Sequence, residues 1–296
     1  MHLRQIWDLL AKSMTAWLDD FAPSMGAALA YYTLFSIAPL LVITIAVAGL
    51  AFGQEAARGE IVAQIQGFLG PEGADAVQGL LKSANEPSRN IFAAMISLIT
   101  LVIGATTVFA ELQSDLDRIW RVPALVKVNS LWLLLRQRLL SFGLVLGLGF
   151  LLLVSLILSA GIAAFGKWSN GLIGDLEVFL QTLNFGISLS ITTVLFAMIY
   201  KLMPRARVAW QDVWIGAAVT AILLEIGKIF IGLYLGKTNM VAGFGTAGSL
   251  VVLMVWIYFS AQIFLLGAEF TWVYSHQYGS RAPGASNAEN FTQPVT

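Results

Sequence analysis

Long runs of apolar residues, separated by shorter polar connections, dominate the chain. Six runs exceed the roughly 18 residues that a helix needs to cross a bilayer, and they cover about residues 25–52, 91–110, 139–165, 178–203, 210–235 and 247–274. A membrane barrel would instead show segments of about 10 residues with alternating polarity, a pattern the sequence lacks. The pattern predicts an all-α integral membrane protein whose six transmembrane helices form one domain, residues 25–275.

The connections and tails add shorter elements. In the first connection, 53–90, apolar residues recur at helical spacing and predict two short amphipathic helices that lie on the outer membrane surface or cap the bundle: Ile61, Ile65, Phe68, Leu69, Val77, Leu80 and Leu81. In the second loop, 111–138, Trp120, Trp132 and several arginines predict an interfacial helix. We expect residues 1–24 to form an amphipathic cytoplasmic N-terminus. We expect residues 276–296 to form a disordered cytoplasmic tail.

Lysine and arginine are distributed unevenly between the two sides of this topology. The second loop, the fourth loop and the two tails carry most of them, whereas the first, third and fifth connections carry few. Because positively charged loops stay in the cytoplasm, the distribution predicts a multi-pass membrane protein with both termini in the cytoplasm.

Composition restricts the classes of function. Hydrophobic residues make up 58% of the 296 residues and charged residues 11%, with net charge zero, so the sequence offers no basic excess for nucleic acid. Cysteine is absent and the two histidines, His2 and His276, lie near opposite ends, so we expect no metal and no cofactor. We find no catalytic motif and expect no enzyme. The expected partners are the lipid bilayer and an amphipathic or anionic small molecule or lipid; a homo-oligomer remains open.

One opposite-charge pair lies inside the fifth apolar run. Glu225 and Lys228 are three residues apart, so they share a helix face and can touch. A charge near the bilayer centre costs about 2.5–3.5 kcal/mol on insertion scales and normally faces the bundle interior. The pair is therefore the first candidate for a substrate or ion pathway, with a purely structural clasp as the alternative.

Other polar or conformationally special positions join this candidate pathway. Gln262 and Glu269 share a face of the sixth run, and Glu269 is expected to reach water near the cytoplasmic end. Pro39 predicts a kink after Tyr31 and Tyr32. Residues 243–248 match G-x-G-x-x-G, but a membrane helix precedes them instead of a strand, which argues against a dinucleotide site. Amides exposed at Gly245 and Gly248 would still favour an anion.

Charged residues also cluster after the second run, where Glu111, Asp115, Asp117 and Arg118 predict a solvated junction or a cytoplasmic gate. Pairs of small residues at i, i+4 indicate close helix packing. These pairs are Gly143 and Gly147, Ser155 and Ser159, Gly186 and Ser190, and Gly232 and Gly236.

Several segments together resemble the YihY/BrkB family of bacterial inner-membrane proteins. They are residues 27–40 (AALAYYTLFSIAPL), 111–123 with Arg118-Ile119-Trp120, Met203-Pro204-Arg205, Trp210-Gln211-Asp212-Val213-Trp214, Glu225-Ile226-Gly227-Lys228, 245–250 (GTAGSL) and Gly267-Ala268-Glu269-Phe270. The resemblance covers about residues 20–275. It implies six membrane helices in a bacterial inner membrane, cytoplasmic termini and a role in the cell envelope.

Transport or flippase-like export of an envelope-related molecule is the function that we expect, and a non-transporting scaffold is the alternative. The family has also carried the name ribonuclease BN. We disfavour that activity here, because a neutral chain with its polar groups at membrane depth offers neither a phosphate track nor a metal site.

Overall fold

The computed structural model describes residues 3–55, 107–123, 176–237 and 248–283, with scattered positions between 58 and 82. Every regular element in these ranges is an α-helix, and none of the described residues lies in a strand. In chain order the helices are α1 (Leu3–Asp19), α2 (Ala22–Phe52), α3 (107–119), α4 (Leu176–Leu202), α5 (Trp210–Lys237) and α6 (Gly248–Gln277). Short helical stretches also occur between residues 54 and 82.

Three of these helices are long and apolar enough to cross a membrane. The qualifying stretches are Thr182–Leu202 in α4, Trp210–Tyr234 in α5 and Leu250–Gln277 in α6. Helix α2 has 31 residues and carries no charged side chain, and it coincides with the first predicted span. The predicted spans 139–165 and most of 91–110 lie outside the described residues, so the count of six stays a prediction.

Helices α1 and α2 are separated by a sharp turn at Asp20 and Phe21. Phe21 adopts the left-handed conformation, with φ 58° and ψ 37°. The Phe21 amide bonds to the carbonyl of Leu18, and the amide of Met25 bonds back to the carbonyl of Phe21. Pro23 lies in the first turn of α2, where a missing amide hydrogen is tolerated.

The chain divides into two compact units. The first contains Met1–Ser13, Leu116–Leu223 and Gly267–Thr296, and the second contains Met14–Asp115 and Leu224–Leu266. In the second unit, Val77 and Leu81 of the first connection are fully buried in one cluster with Ala30 of α2 and with Leu253 and Ile257 of α6. This part of the connection therefore packs into a helical core, and its placement on the outer membrane surface or as a cap of the bundle stays a prediction.

In the first unit, α5 and α6 cross as an antiparallel pair through two matched Gly and Thr positions. A methyl group added at Gly216 would collide with the side chain of Thr271, and one added at Gly267 would collide with Thr220. The Gly267 methyl would also lie 2.7 Å from the hydroxyl of Tyr200. The two backbones approach this closely because each glycine receives the threonine of the other helix.

The polar atoms at this crossing are satisfied locally. The hydroxyl of Thr220 donates to the carbonyl of Gly216 at 2.7 Å, and that of Thr271 donates to the carbonyl of Gly267 at 2.7 Å. The hydroxyls of Tyr200 and Thr220 lie 3.0 Å apart. All of these threonine and tyrosine side chains are fully buried. The crossing is therefore tight, and its threonine hydroxyls are satisfied within their own helices, although its position was not among the predicted small-residue pairs.

Of the predicted small-residue pairs, two lie in described helices. No described atom comes within 4 Å of a methyl group added at Gly186 or Gly232, so neither glycine contacts a neighbouring helix in the described structure. Ser190 instead donates to the carbonyl of Gly186 within α4. The pairs at 143–147 and 155–159 lie outside the described residues.

The predicted disordered tail, residues 276–296, begins later than expected. Helix α6 continues to Gln277, and residues 278–283 form a folded turn after it. The amide of Gly279 bonds to the carbonyl of Tyr274, and that of Arg281 bonds to the carbonyl of Ser275. The prediction is wrong for residues 276–283 because Gly, Ser and Pro indicated disorder, whereas local hydrogen bonds fix this turn. Residues 284–296 lie outside the described part.

Candidate functional site

Glu225 and Lys228 form the ion pair that their spacing predicts. The ammonium of Lys228 lies 2.8 Å from Oε1 of Glu225, one helical turn away on α5. The side chains are 19% and 23% exposed, for Lys228 and Glu225 respectively. The pair is thus neither fully solvated nor sealed in a core. This bond lies within one helix, so it does not itself fasten α5 to a neighbour.

The pair lies on the flank of α5, between a packed face and an open apolar face. The open face is a stripe at helical spacing: Ile222, Ile226, Ile229, Phe230 and Leu233. The packed face includes Ala221 and Ile231, and Gly227 receives the side chain of Ile263 from α6. The expectation of an inward-facing pair is therefore met only in part, because both charges lie at the edge of the packed face.

The other pathway candidates of the second unit have structural contacts of their own. Gln262 donates from Nε2 to the carbonyl of Pro23 at 3.4 Å, and its amide fills the space that a side chain at Gly26 would need. Tyr31 is exposed, and its ring stands 5.6 Å from that of Tyr32 and 4.9 Å from that of Phe35.

The predicted kink and the glycine anion site receive little structural support. Helix α2 continues through Pro39 without interruption. Gly248 is the buried first residue of α6, and Gly245 lies outside the described residues. The kink and the anion site both stay predictions.

Glu269 belongs to the first unit and is fully buried, with 0% exposure. The expectation that its carboxylate reaches water is wrong. The reason is that α6 extends to Gln277, two turns beyond Glu269, and the turn at 278–283 follows it. Glu269 is consequently a buried acid within the helix, and Gln262, seven residues earlier, falls in the other unit.

The predicted junction after the second run is partly a structured contact. Asp117 accepts the backbone N–H of Arg205 at 2.7 Å and pairs with its guanidinium at 3.2 Å. Burial raises the pKa of Asp117 above its ordinary 3.8, while the N–H and the charge of Arg205 lower it. Asp115 is buried, Glu111 is half-buried and Arg118 is exposed. The cluster is therefore not simply a solvated patch, and its role as a gate stays a prediction.

This geometry predicts an unequal effect of removing each partner of the Asp117 and Arg205 pair. Asp117→Ala leaves the amide of Arg205 without its acceptor and should lower the free energy of unfolding by about 1–3 kcal/mol. Arg205→Ala keeps that amide bond and removes only a half-exposed guanidinium, a loss of about 0–1 kcal/mol. Thermal unfolding of the purified protein in detergent measures both; equal losses would contradict the assignment of the amide as the main partner.

A second polar cluster, which was not among the predicted site residues, joins the start of α5 to the turn after α6. Asp212 is 1% exposed and accepts the backbone N–H of Ser280 at 3.2 Å and the Ser280 hydroxyl at 2.6 Å. A side chain at Gly279 would collide with the same carboxylate. Asp212 in the first turn also opposes the positive end of the α5 dipole. The carboxylate therefore closes this end of the helix pair.

Two arginine and tryptophan contacts surround this cluster. The guanidinium of Arg281 stands 5.2 Å from the ring centre of Trp120, and that of Arg121 stands 5.2 Å from the ring centre of Trp272. Arg281 also donates to the carbonyl of Arg207 at 2.9 Å. Trp120, predicted for a headgroup belt, is buried instead. We call Asp212, Ser280, Arg281 and Trp120 the C-terminal clamp.

The sequence signals for the clamp were an acid two residues after Trp210, at the start of a span, and the place of Asp212 and Trp120 in segments that carry the family resemblance. A charge at that position ordinarily marks a solvated helix end, so Asp212 did not stand out. Among the described residues, no group of three or more His, Asp or Glu side chains comes close enough to hold a metal ion.

Comparison with known proteins places the chain in a family. The family described as "Virulence factor BrkB" matches residues 14–292. The chain belongs to this BrkB family. It is 28% identical over 259 residues to a UPF0761 membrane protein of Pseudoalteromonas translucida, covering 86% of this chain and 81% of that protein. A UPF0761 membrane protein of Tolumonas auensis is 29% identical over 259 residues, with 85% and 80% covered.

Some BrkB relatives are longer than this chain. A UPF0761 membrane protein of Pseudomonas aeruginosa is 28% identical over 260 residues, which are 85% of this chain but 59% of that protein. No solved structure matches the chain. Segments that carry the BrkB resemblance meet in the first unit: 111–123 supplies Asp117 and Trp120, Met203–Arg205 supplies Arg205, and Trp210–Trp214 supplies Asp212. The protein is accordingly a membrane protein of this family.

Proposed function

We propose that this protein moves an amphipathic or anionic, envelope-related molecule across a bacterial inner membrane, as a transporter or a flippase-like exporter. The proposal includes a multi-pass topology with both termini in the cytoplasm. The observation that carries it is the ion pair of Glu225 and Lys228, which lies part-exposed inside an apolar helix long enough to span the membrane. Charges at such depth are rare and typically mark substrate or ion pathways.

The closed ion pair is suited to exchange. At rest the two charges neutralise each other over 2.8 Å, which lowers the cost of holding them at membrane depth. An anionic headgroup that reaches the flank of α5 competes with Glu225 for the ammonium of Lys228. Glu225, released from the ammonium, then relays a proton or balances the charge.

The stripe beside the pair fits an amphipathic cargo. Ile222, Ile226, Ile229 and Phe230 are exposed next to the charges, so an apolar tail can lie along them while its headgroup meets Lys228. A strictly polar solute would leave this apolar surface uncovered. The arrangement therefore favours a lipid-like molecule with a negatively charged head over a small inorganic ion.

The test uses purified protein reconstituted in liposomes that contain fluorescent NBD-labelled phosphatidylglycerol in both leaflets. Dithionite bleaches only outer-leaflet label, so a protein that flips the anionic lipid increases the bleached fraction beyond half. Lys228→Gln should lower this activity at least about tenfold, the size expected when a charge-assisted contact of about 1.5–3 kcal/mol is lost. Wild-type vesicles that bleach like protein-free vesicles would overturn the proposal.

The matched control is the ion pair of Asp8 and Lys12 on α1, which is also closed at 2.7 Å but is half-exposed. Replacing both Asp8 and Lys12 with neutral residues should leave lipid movement unchanged. Exchanging the charges, Glu225→Lys with Lys228→Glu, keeps an ion pair but moves the ammonium by one helical turn. We expect this exchanged protein to fold and to lose activity.

A non-transporting scaffold is the alternative function, and the local closure of the pair within α5 favours it. In a scaffold the pair only stabilises the helix, so Glu225→Met with Lys228→Met should keep the cellular phenotype. Breaking the pair by one substitution should then destabilise the protein, because a lone charge stays part-buried. The transport proposal expects the opposite: the doubly apolar protein folds but loses lipid movement.

A further inference from the structure

Helix α1 presents an apolar stripe that remains exposed in the structure. The members of the stripe recur at helical spacing along its 17 residues, and the last one extends it into the turn before α2. They are Ile6, Trp7, Leu10, Met14, Leu18 and Phe21. We call this set the α1 stripe. Single exposed apolar residues are ordinary on protein surfaces, but an aligned row of six large ones indicates a contact surface.

The two remaining faces of α1 are already assigned. Leu9, Ser13 and Ala16 are buried, so one face packs against the protein. Asp8 and Lys12 lie on a separate face, where they form a half-exposed ion pair at 2.7 Å. The helix is thus docked by one face and hydrated along another. The α1 stripe lies on neither the buried face nor the charged face. A partner for it is therefore expected outside the surface against which Leu9, Ser13 and Ala16 pack.

The most exposed members of the α1 stripe are aromatic. Trp7 is 75% exposed, and Phe21 is 63% exposed. Phe21 adopts a left-handed backbone conformation, which costs a residue other than glycine roughly 1–2 kcal/mol. Glycine or asparagine would fit this turn more cheaply. Trp and Phe on the apolar face of a helix are typical of helices that lie at a membrane interface.

The position of α1 in the chain identifies that partner. Helix α1 ends at Asp19 and α2 begins at Ala22, so the stripe is tethered directly to a 31-residue helix without a charged side chain. Helix α1 itself is about 25 Å long and carries charges along one side, which suits it to lie on a bilayer and not to cross it. We propose that α1 lies in the membrane plane and inserts its stripe at the boundary between headgroups and acyl chains.

The charges of α1 further define the lipid chemistry. The helix carries Arg4 and Lys12 against Asp8 and Asp19, so its formal net charge is zero. Attraction to anionic headgroups therefore contributes little, and burial of the apolar side chains provides the binding free energy. The partner is the apolar boundary of the leaflet that α2 enters, whatever the charge of its headgroups. This contact is separate from the Glu225 and Lys228 site and does not depend on the proposed transport.

Labelling at single cysteines tests the proposal directly, because the natural chain contains no cysteine. Met14→Cys places a fluorophore on the α1 stripe, and Lys12→Cys places the same fluorophore on the hydrated face as the matched control. Both full-length proteins are reconstituted in nanodiscs of phosphatidylcholine. The label at position 14 should be quenched by lipids brominated near the headgroup at least about threefold more strongly than the label at position 12. Aqueous iodide should show the reverse order.

Replacing about a third of the lipid with phosphatidylglycerol should leave the difference unchanged, since α1 is neutral. Equal quenching by iodide at both positions would place the stripe in water and overturn the proposal. Protection of position 14 from both iodide and brominated lipid would mean that protein covers the stripe, which also overturns it. Energy transfer between two labelled copies in one nanodisc then shows whether that protein is a second copy of the chain.

Discussion

Gly267→Val is expected to prevent stable packing of α5 against α6. A methyl group at Gly267 already meets the side chain of Thr220 and lies 2.7 Å from the hydroxyl of Tyr200, and both neighbours are fully buried. Valine adds two further carbons to the same space. Overpacking a close contact costs about 1–3 kcal/mol, and here it would also separate the hydroxyls of Tyr200 and Thr220 from their partners. We expect a loss at the upper end of this range or beyond it.

Two glycine-to-alanine substitutions make the test sharper. At Gly267 the gain in helix propensity raises stability, whereas the steric clash lowers it; at Gly232 only the gain in propensity applies. Alanine is favoured over glycine in a helix by about 1 kcal/mol. Gly232 has no described atom within 4 Å of an added methyl group, so Gly232→Ala should raise the melting temperature or leave it unchanged. Gly267→Ala should lower it despite the same gain in propensity. Thermal unfolding of the two proteins in one detergent provides the comparison.

A compensating substitution separates packing from other effects. Thr220→Ala removes the hydroxyl that an added methyl group at Gly267 would strike, so Gly267→Ala combined with Thr220→Ala should recover part of the lost stability. The recovery should be incomplete, since the hydrogen bond between Tyr200 and Thr220 is then lost. If Gly267→Ala were as stable as Gly232→Ala, the matched Gly and Thr contact would not hold the two helices together.

The helices were largely predictable, because the length of an apolar run sets where a membrane helix begins and ends. The predicted span 210–235 is observed as Trp210–Lys237, and 247–274 as Gly248–Gln277. The ion pair of Glu225 and Lys228 was predictable for a similarly local reason: their contact requires only the geometry of one helix. Local periodicity thus accounts for the elements and for contacts one turn apart.

Contacts between helices were not predictable to the same degree. Small residues at i, i+4 are common in apolar helices, and nothing within one helix indicates which pair meets a neighbour. Gly232 was therefore proposed although no described atom lies within 4 Å of an added methyl group there, whereas Gly267 was not proposed and meets Thr220. Burial of Glu269 likewise depended on the last turns of α6, which the hydropathy pattern ended too early. Which residues face one another is a tertiary property that one sequence does not fix.

Asp212→Ala is expected to release the turn that follows α6. The carboxylate of Asp212 is 1% exposed and holds both the backbone N–H and the hydroxyl of Ser280. Its removal leaves these donors without an acceptor and withdraws a negative charge from the first turn of α5. Burial lowers the pKa of the Arg281 guanidinium, and the charge of Asp212 raises it, so Arg281 also loses a stabilising partner. We expect a destabilisation of about 2–4 kcal/mol.

Smaller substitutions separate the contributions of the Ser280 hydroxyl bond and of the Asp212 charge to this loss of stability. Ser280→Ala removes one hydroxyl and keeps the backbone bond, so it should cost about 1 kcal/mol. Asp212→Asn keeps an acceptor oxygen without the charge and should fall between Ser280→Ala and Asp212→Ala. Asp8→Ala, which removes a half-exposed acid that pairs one turn away on α1, should change stability by no more than about 0.5 kcal/mol.

Hydrogen exchange provides a local readout that overall stability does not. In Asp212→Ala the amides of residues 279–281 should exchange much faster than in the natural protein, because Ser280 loses its acceptor and the adjoining turn opens. Amides at the crossing of α5 and α6 near Gly216 should remain protected, since the Thr271 contact is separate from the carboxylate. Unchanged exchange at Ser280 would show that the turn is held by its own backbone bonds to Tyr274 and Ser275. Uniformly faster exchange along both helices would instead make Asp212 part of the α5 and α6 packing itself, and the C-terminal clamp would not be a separable element.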